Sequence, residues 1–242
     1  MVNRWSSVRM KEEGVCFWLL RFWLHRSITT GDSFMVQTVD SASDQRNLLR
    51  GVEWETYLKL CDQTDRTACR MTYDQGALEI MTPSMPHESY GSLIGRLIQR
   101  YTEIRDIEIR SVASTTFRRS DLLQGFEADE SYYVQNTPRI RGLRQVDLTI
   151  HPPPDLVVEI EISRSAINKM KLFATMKIPE CWRYNERSLS VYKLQQGKYR
   201  KAKESCIFPG FPIALAEELL AEQLGGNETR LVQRFAKYVE SE

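Results

Sequence analysis

The chain has 242 residues, 33 Lys and Arg against 32 Asp and Glu, a net charge of +1, and 42% hydrophobic residues. That balance indicates neither a disordered nor a fibrous chain, and near-neutrality counts mildly against a nucleic-acid partner, although an enzyme can hold DNA transiently through a local basic rim. No run approaches the ~20 apolar residues of a membrane span. The five cysteines show neither CxxC nor His/Cys zinc spacing, which fits a reducing, cytoplasmic setting.

Residues 1–36 mix basic side chains with Trp, Phe and Leu and hold no clean period. Arg21, His25 and Arg26 spoil the apolar core and cleavage site that a signal peptide needs. Met35 is the expected natural start, with residues 1–36 an extension without its own fold and one α/β domain spanning 45–240.

From Glu53 the pattern becomes regular, with Trp54, Tyr57, Leu58 and Cys61 on one face of a short helix. Cys69–Tyr73 and Ala77–Met81 read as a hairpin closed by Asp74-Gln75-Gly76. Ser84 is placed to cap a long helix over Pro86–Arg105, whose Tyr90, Leu93, Ile94, Leu97, Ile98, Tyr101 and Ile104 recur in threes and fours. Ile107–Phe117, Tyr132–Val134 and Leu148–Ile150 read as strands.

Pro152, Pro153 and Pro154 form a break, after which Leu156–Ile162 has the continuous apolar character of a central strand. A helix over Ser165–Met176 ends before Pro179, and Cys181–Tyr184 with Leu189–Leu194 forms a second hairpin. Ile213–Leu224 and Thr229–Val239 read as helices. The expected architecture is one mixed sheet with helices packed on it.

The chemistry concentrates in Asp155-Leu-Val-Val-Glu159-Ile-Glu161. Alternation along a strand puts Asp155, Glu159 and Glu161 on one face, where carboxylates within an apolar strand are costly to bury unless a cation or partner compensates them, a metal most cheaply. Asp129, leading into the Tyr132–Val134 strand, supplies a further carboxylate if the two strands are neighbours. A hard divalent cation such as Mg²⁺ takes such oxygen ligands.

Trp54-Glu-Thr-Tyr57, Thr72 to Ser84 with its Gly76 turn, His87-Glu88, Asp129-Glu-Ser-Tyr-Tyr133, Pro153 to Glu159, and Ile178-Pro-Glu-Cys-Trp182-Arg-Tyr stand in this order along the chain. Together they resemble the bacterial family named "putative restriction endonuclease", which is similar to PD-(D/E)XK nucleases, over roughly Asn47 to Leu220. The resemblance implies a restriction-endonuclease-like α/β fold with a central mixed β-sheet flanked by helices, and Mg²⁺- or Mn²⁺-dependent hydrolysis of DNA.

By the same resemblance Asp129 is the first metal-binding acid and Glu159 the acid of the half-motif. Glu161 stands where the half-motif usually has lysine, as a possible third ligand or an edge-facing carboxylate. Lys169 matches a lysine migrated to the next helix, with Lys171 its substitute, and Ala128 replaces a customary proline.

Plainer readings compete. Asp129 could bond a turn amide, Lys169 could be a solvated helix lysine, and Glu88 suits a helix N-terminus whatever the function. His87 is a weaker candidate, and Trp54, Trp182 and Tyr184 read as packing residues. Arg118, Arg119, Arg139, Arg141 and Arg144 could form a basic rim for phosphates or a solvated face. The rival functions are a catalytically silent module binding nucleic acid or protein, and a hydrolase of small phosphoesters. Cutting both strands would call for two centres, hence a homodimer.

Overall fold

A computed structural model describes residues 36–39, 44–63 and 69–242. Apart from Val36, the N-terminal expectation concerns residues outside this range. In chain order the elements are β1 (Val36–Val39), β2 (Gln45–Arg50), α1 (Trp54–Cys61), β3 (Arg70–Asp74), β4 (Ala77–Thr82), α2 (Met85–Ile104), β5 (Arg110–Ser111), β6 (Thr116–Arg119), β7 (Gln124–Glu127) and β8 (Glu130–Tyr133). They continue with α3 (Thr137–Ile140), β9 (Leu156–Ile160), α4 (Lys169–Thr175), β10 (Glu180–Tyr184), β11 (Leu189–Gln195), β12 (Lys198–Ala202), α5 (Ile213–Glu222) and α6 (Glu228–Ser241).

The expectation of one sheet is corrected: the described strands form two six-stranded sheets. The first, ordered β1-β2-β4-β3-β7-β6, is antiparallel throughout. The second, β12-β11-β10-β9-β8-β5, is mixed, with β9 and β10 parallel and the other pairs antiparallel. The chain passes from one sheet to the other between β7 and β8, at Ala128-Asp129.

Alternation along β9 sorts its side chains into two cores. Leu156, Val158 and Ile160 join the apolar stripe of α2, from Tyr90 to Tyr101, together with Leu219 and Leu220 of α5 and Phe235 of α6. Val157 turns the other way, into a core with Phe173 of α4 and with Phe117, Phe126 and Leu48 of the first sheet. Trp182 and Tyr184 are buried in the α2 core, and Trp54 packs at a tilt against Tyr57 and Tyr73 in a third cluster, so all three are packing residues.

Three local expectations are corrected. Ile107–Phe117 is not one strand but contributes β5 to one sheet and β6 to the other, with Ala113 at φ +43° breaking the extended path. Leu148–Ile150 is a turn, because both the amide and the hydroxyl of Thr149 donate to Asp147 Oδ1, at 2.8 and 2.7 Å. The helix expected from Ser165 begins at Lys169, since Ser165 Oγ accepts the Ile167 amide at 3.2 Å and Asn168 is the cap, accepting from Lys171 N at 3.0 Å.

Candidate active site

The seam between the sheets gathers the site. β8 pairs with β9 in the register Glu130 to Val158, so continuing by one residue places Asp129 opposite Glu159. Directly opposed residues of an antiparallel pair share a face. The ladder itself stops there: Asp129 turns its side chain inward, and Oδ2 accepts the Ile160 amide at 2.7 Å. Lys169 reaches down from the first turn of α4, donating Nζ to Glu159 Oε2 at 2.6 Å. All three side chains are buried.

The sequence-derived trio of Asp129, Glu159 and Lys169 is therefore brought together. Lys171, the substitute, is exposed two residues further on. Glu161 shares the Glu159 face but binds Arg183, its partner across the parallel strands at one remove. Asp155 is used locally: its oxygens accept from the Val134 and Asn136 amides at 2.7 and 3.0 Å and from the Asn136 side chain at 2.7 Å, which fixes the loop after β8. Of the proposed basic rim, Arg118 pairs with Asp62, Arg119 with Asp121 and Arg141 with Glu108, each with an exposed acid.

His87 is buried in the first turn of α2. Its Nε2 lies 2.9 Å from Asp129 Oδ1 and its Nδ1 3.1 Å from Asp44 Oδ2. Ionised carboxylates only accept, so both ring nitrogens donate and the ring is charged. Burial opposes that charge, but the bonds to Asp129 and Asp44 outweigh it and bring the imidazole up to about 9. Burial likewise pushes Asp129 upward, yet the His87 bond and charge, with Lys169 behind, hold it below the ordinary carboxylate range.

Glu159 goes the other way. Burial raises it to about 7, with Lys169 pulling down and the Asp129 charge pushing up. Its Oε1 is buried and has no hydrogen-bond partner among the described residues. Burying a carboxylate oxygen with nothing to accept from is costly, and a cation is the usual remedy. Two hard oxygen ligands suit Mg²⁺ or Mn²⁺, which keep several waters, although no three His, Cys, Asp or Glu side chains among the described residues converge as a complete cage.

Space lies next to these groups. A cleft of about 630 Å³ is lined by Lys169, Glu161, Arg183, Arg164 and Ser163. A pocket of about 210 Å³ reaches His87, Asp129, Glu130 and Arg96.

Sequence reasoning missed Asp44, Arg46 and Glu79. Arg46 on β2 donates to Glu79 Oε1 at 2.7 Å and to Ser163 Oγ at 2.6 Å, while Glu79 Oε2 accepts the Ala166 amide at 2.6 Å. Glu79 carried a usable signal: it is a lone carboxylate in the apolar run Ala77–Met81, the same anomaly that marks Glu159.

The mixed α/β arrangement of sheets flanked by helices is a restriction-endonuclease-like fold. The family model Uma2, described as "Putative restriction endonuclease", matches residues 54–223, and the chain belongs to that family. Among solved structures it is similar to one titled as a putative nuclease belonging to DUF820 from Anabaena variabilis ATCC 29413, at 17% identity and a TM-score of 0.47, covering 76% of this chain and 99% of that one. The search of curated proteins gives no significant match. No helix among the described residues is long and apolar enough to cross a membrane.

Proposed function

We propose that this protein is a cytoplasmic, Mg²⁺- or Mn²⁺-dependent endonuclease hydrolysing phosphodiester bonds of DNA, with its centre at Asp129, Glu159 and Lys169. The observation that carries this reading is the buried Oε1 of Glu159, unpartnered among the described residues, beside the Asp129 carboxylate. Asp129 and Glu159 would hold the ion, and Glu161 becomes a further oxygen donor only when it leaves Arg183. A divalent ion at such a site lowers the pKa of a bound water and stabilises charge on the phosphate.

The chain's own contributions follow from its geometry. Lys169 is the cation next to Glu159 and also lines the large cleft, so it can orient the attacking water or meet the charge that develops on the phosphate oxygens. Arg164 and Arg183 on the same cleft suit contacts to the DNA backbone. His87 and the Ile160 amide hold Asp129 from two sides, fixing its orientation.

The test is incubation of purified protein with supercoiled plasmid and with single-stranded DNA, in Mg²⁺ or Mn²⁺, alongside Asp129→Ala and Glu159→Ala. Metal-dependent cutting that both substitutions abolish is the expected result. Nicked product marks one centre acting alone, and linear product marks paired centres, as in a homodimer. DNA binding with no cutting in either metal would instead favour a silent binding module.

A further inference from the structure

Asp44 lies outside the family-matched segment, in the chain just before β2, yet it is fully buried and wired into the site. Its Oδ2 meets His87 Nδ1 at 3.1 Å and accepts from Ser163 Oγ at 2.8 Å, while Oδ1 accepts the Ser84 amide at 3.0 Å. Ser84 is the N-cap of α2 and accepts the His87 amide through its hydroxyl. One carboxylate thus fixes both the backbone start of α2 and the ring that this helix presents.

The second branch runs toward Lys169. Ser163 also receives Arg46 Nε at 2.6 Å, and the Glu79 carboxylate bound by Arg46 holds Ser165 Oγ at 2.9 Å and the Ala166 amide at 2.6 Å. These bonds immobilise the connection from β9 to α4, from whose first turn Lys169 projects. Both arms of the centre, Asp129 through His87 and Lys169 through the connection, are anchored on the segment around Asp44 and Arg46.

We infer that Asp44 is a positioning residue for the Asp129 centre: it locks the His87 ring, and through His87 it sets the Asp129 carboxylate against the Ile160 amide. The inference rests on the proposed role of Asp129, but its mechanical content does not need the ion. Partners of this kind behind a ligand typically change metal affinity by about 10–100-fold when removed. Because Asp44 acts through His87, its removal should cost nothing further once the ring is gone.

The test uses the full chain as Asp44→Ala, His87→Gln and the double variant, with Leu231→Ala as a control that destabilises the core between α2 and α6 away from the site. In metal-free protein the amide resonance of Ile160, which reports the Asp129 contact, is followed by NMR. Mn²⁺ affinity is measured by calorimetry on the same samples. The expected result is a shifted Ile160 amide in both single variants and Mn²⁺ affinity lowered by about 10–100-fold. The double variant should show no added loss, and Leu231→Ala should show neither change.

An Ile160 amide unmoved in Asp44→Ala, or losses that add in the double variant, overturns the inference. A native chain that binds no Mn²⁺ but whose Ile160 amide still moves on Asp44→Ala overturns the metal reading while the positioning role stands.

Discussion

Lys169 Nζ and Glu159 Oε2 lie 2.6 Å apart in a buried pair, with the Asp129 charge close enough to be felt by both. The three charges are unequal in what their loss leaves behind. Lys169→Met strands Glu159, whereas Asp129 keeps His87 and the Ile160 amide, and breaking a buried pair from one side costs about 3–5 kcal/mol. Glu159→Gln leaves Lys169 still facing Asp129 and should cost much less. Adding Glu159→Gln to Lys169→Met should therefore recover most of the lost stability. Urea unfolding of the four proteins measures this, and equal losses for the two single variants would refute the asymmetry.

Gly125 on β7 is expected to tolerate no side chain. A Cβ there would sit 2.2 Å from Tyr57 Oη and 2.7 Å from its Cζ, and the Tyr57 ring is fully buried between Trp54 and Tyr73. Overpacking of this kind costs about 1–3 kcal/mol or more. Gly125→Ala should lower the thermal midpoint accordingly, whereas Gly142→Ala, with open space but a positive φ, carries only local backbone strain.

Asp44 should make the fold acid-sensitive. Burial alone would raise its carboxyl, but the bonds from His87, the Ser84 amide and Ser163 depress it below the ordinary range. A depressed carboxyl stabilises the fold above its unfolded value, and the contribution is lost as pH falls through the folded value. The stability gap between the native chain and Asp44→Asn should thus be full at neutral pH and close progressively below about pH 4. Urea midpoints across that range check it; a gap independent of pH would show that the charge of Asp44 is not involved.

Cys206 is a free, exposed thiol whose Sγ lies 2.9 Å from Glu180 Oε2. Partial burial, then the Glu180 carboxylate, push it up to about 11. Alkylation depends on the thiolate. Iodoacetamide labelling of the peptide containing Cys206, followed by mass spectrometry, should be slow at neutral pH and rise toward about pH 11. Rapid labelling near pH 7 would contradict this contact.

The readable parts of the chain were those where one periodic signal dominates. The stripe from Tyr90 to Tyr101, the Asp74-Gln75-Gly76 hairpin and the carboxylates of β9 each announce themselves within a few residues. β7 does not, because Gln-Gly-Phe-Glu has no alternation and its glycine is required by Tyr57, far away in sequence. β2 and β12 were also missed, and the division into two sheets involves crossings between β5 and β6 and at Ala128-Asp129 that have no local signature. At the candidate site, the proximity of Asp129, Glu159 and Lys169 was legible from motif order and charge placement. Asp44 was not, because nothing near it in the sequence says that it will be buried against a histidine 43 positions away.

The most direct measurement is a calorimetric Mn²⁺ titration of the full chain, with Asp129→Asn and Glu159→Gln as the comparison. These substitutions keep the shape of each side chain and remove the charge that would hold the ion. The expected result is one saturable site in the native chain, lost or strongly weakened in both variants. Binding of equal strength in all three proteins, or none in the native chain, would contradict a divalent-metal centre at Asp129 and Glu159.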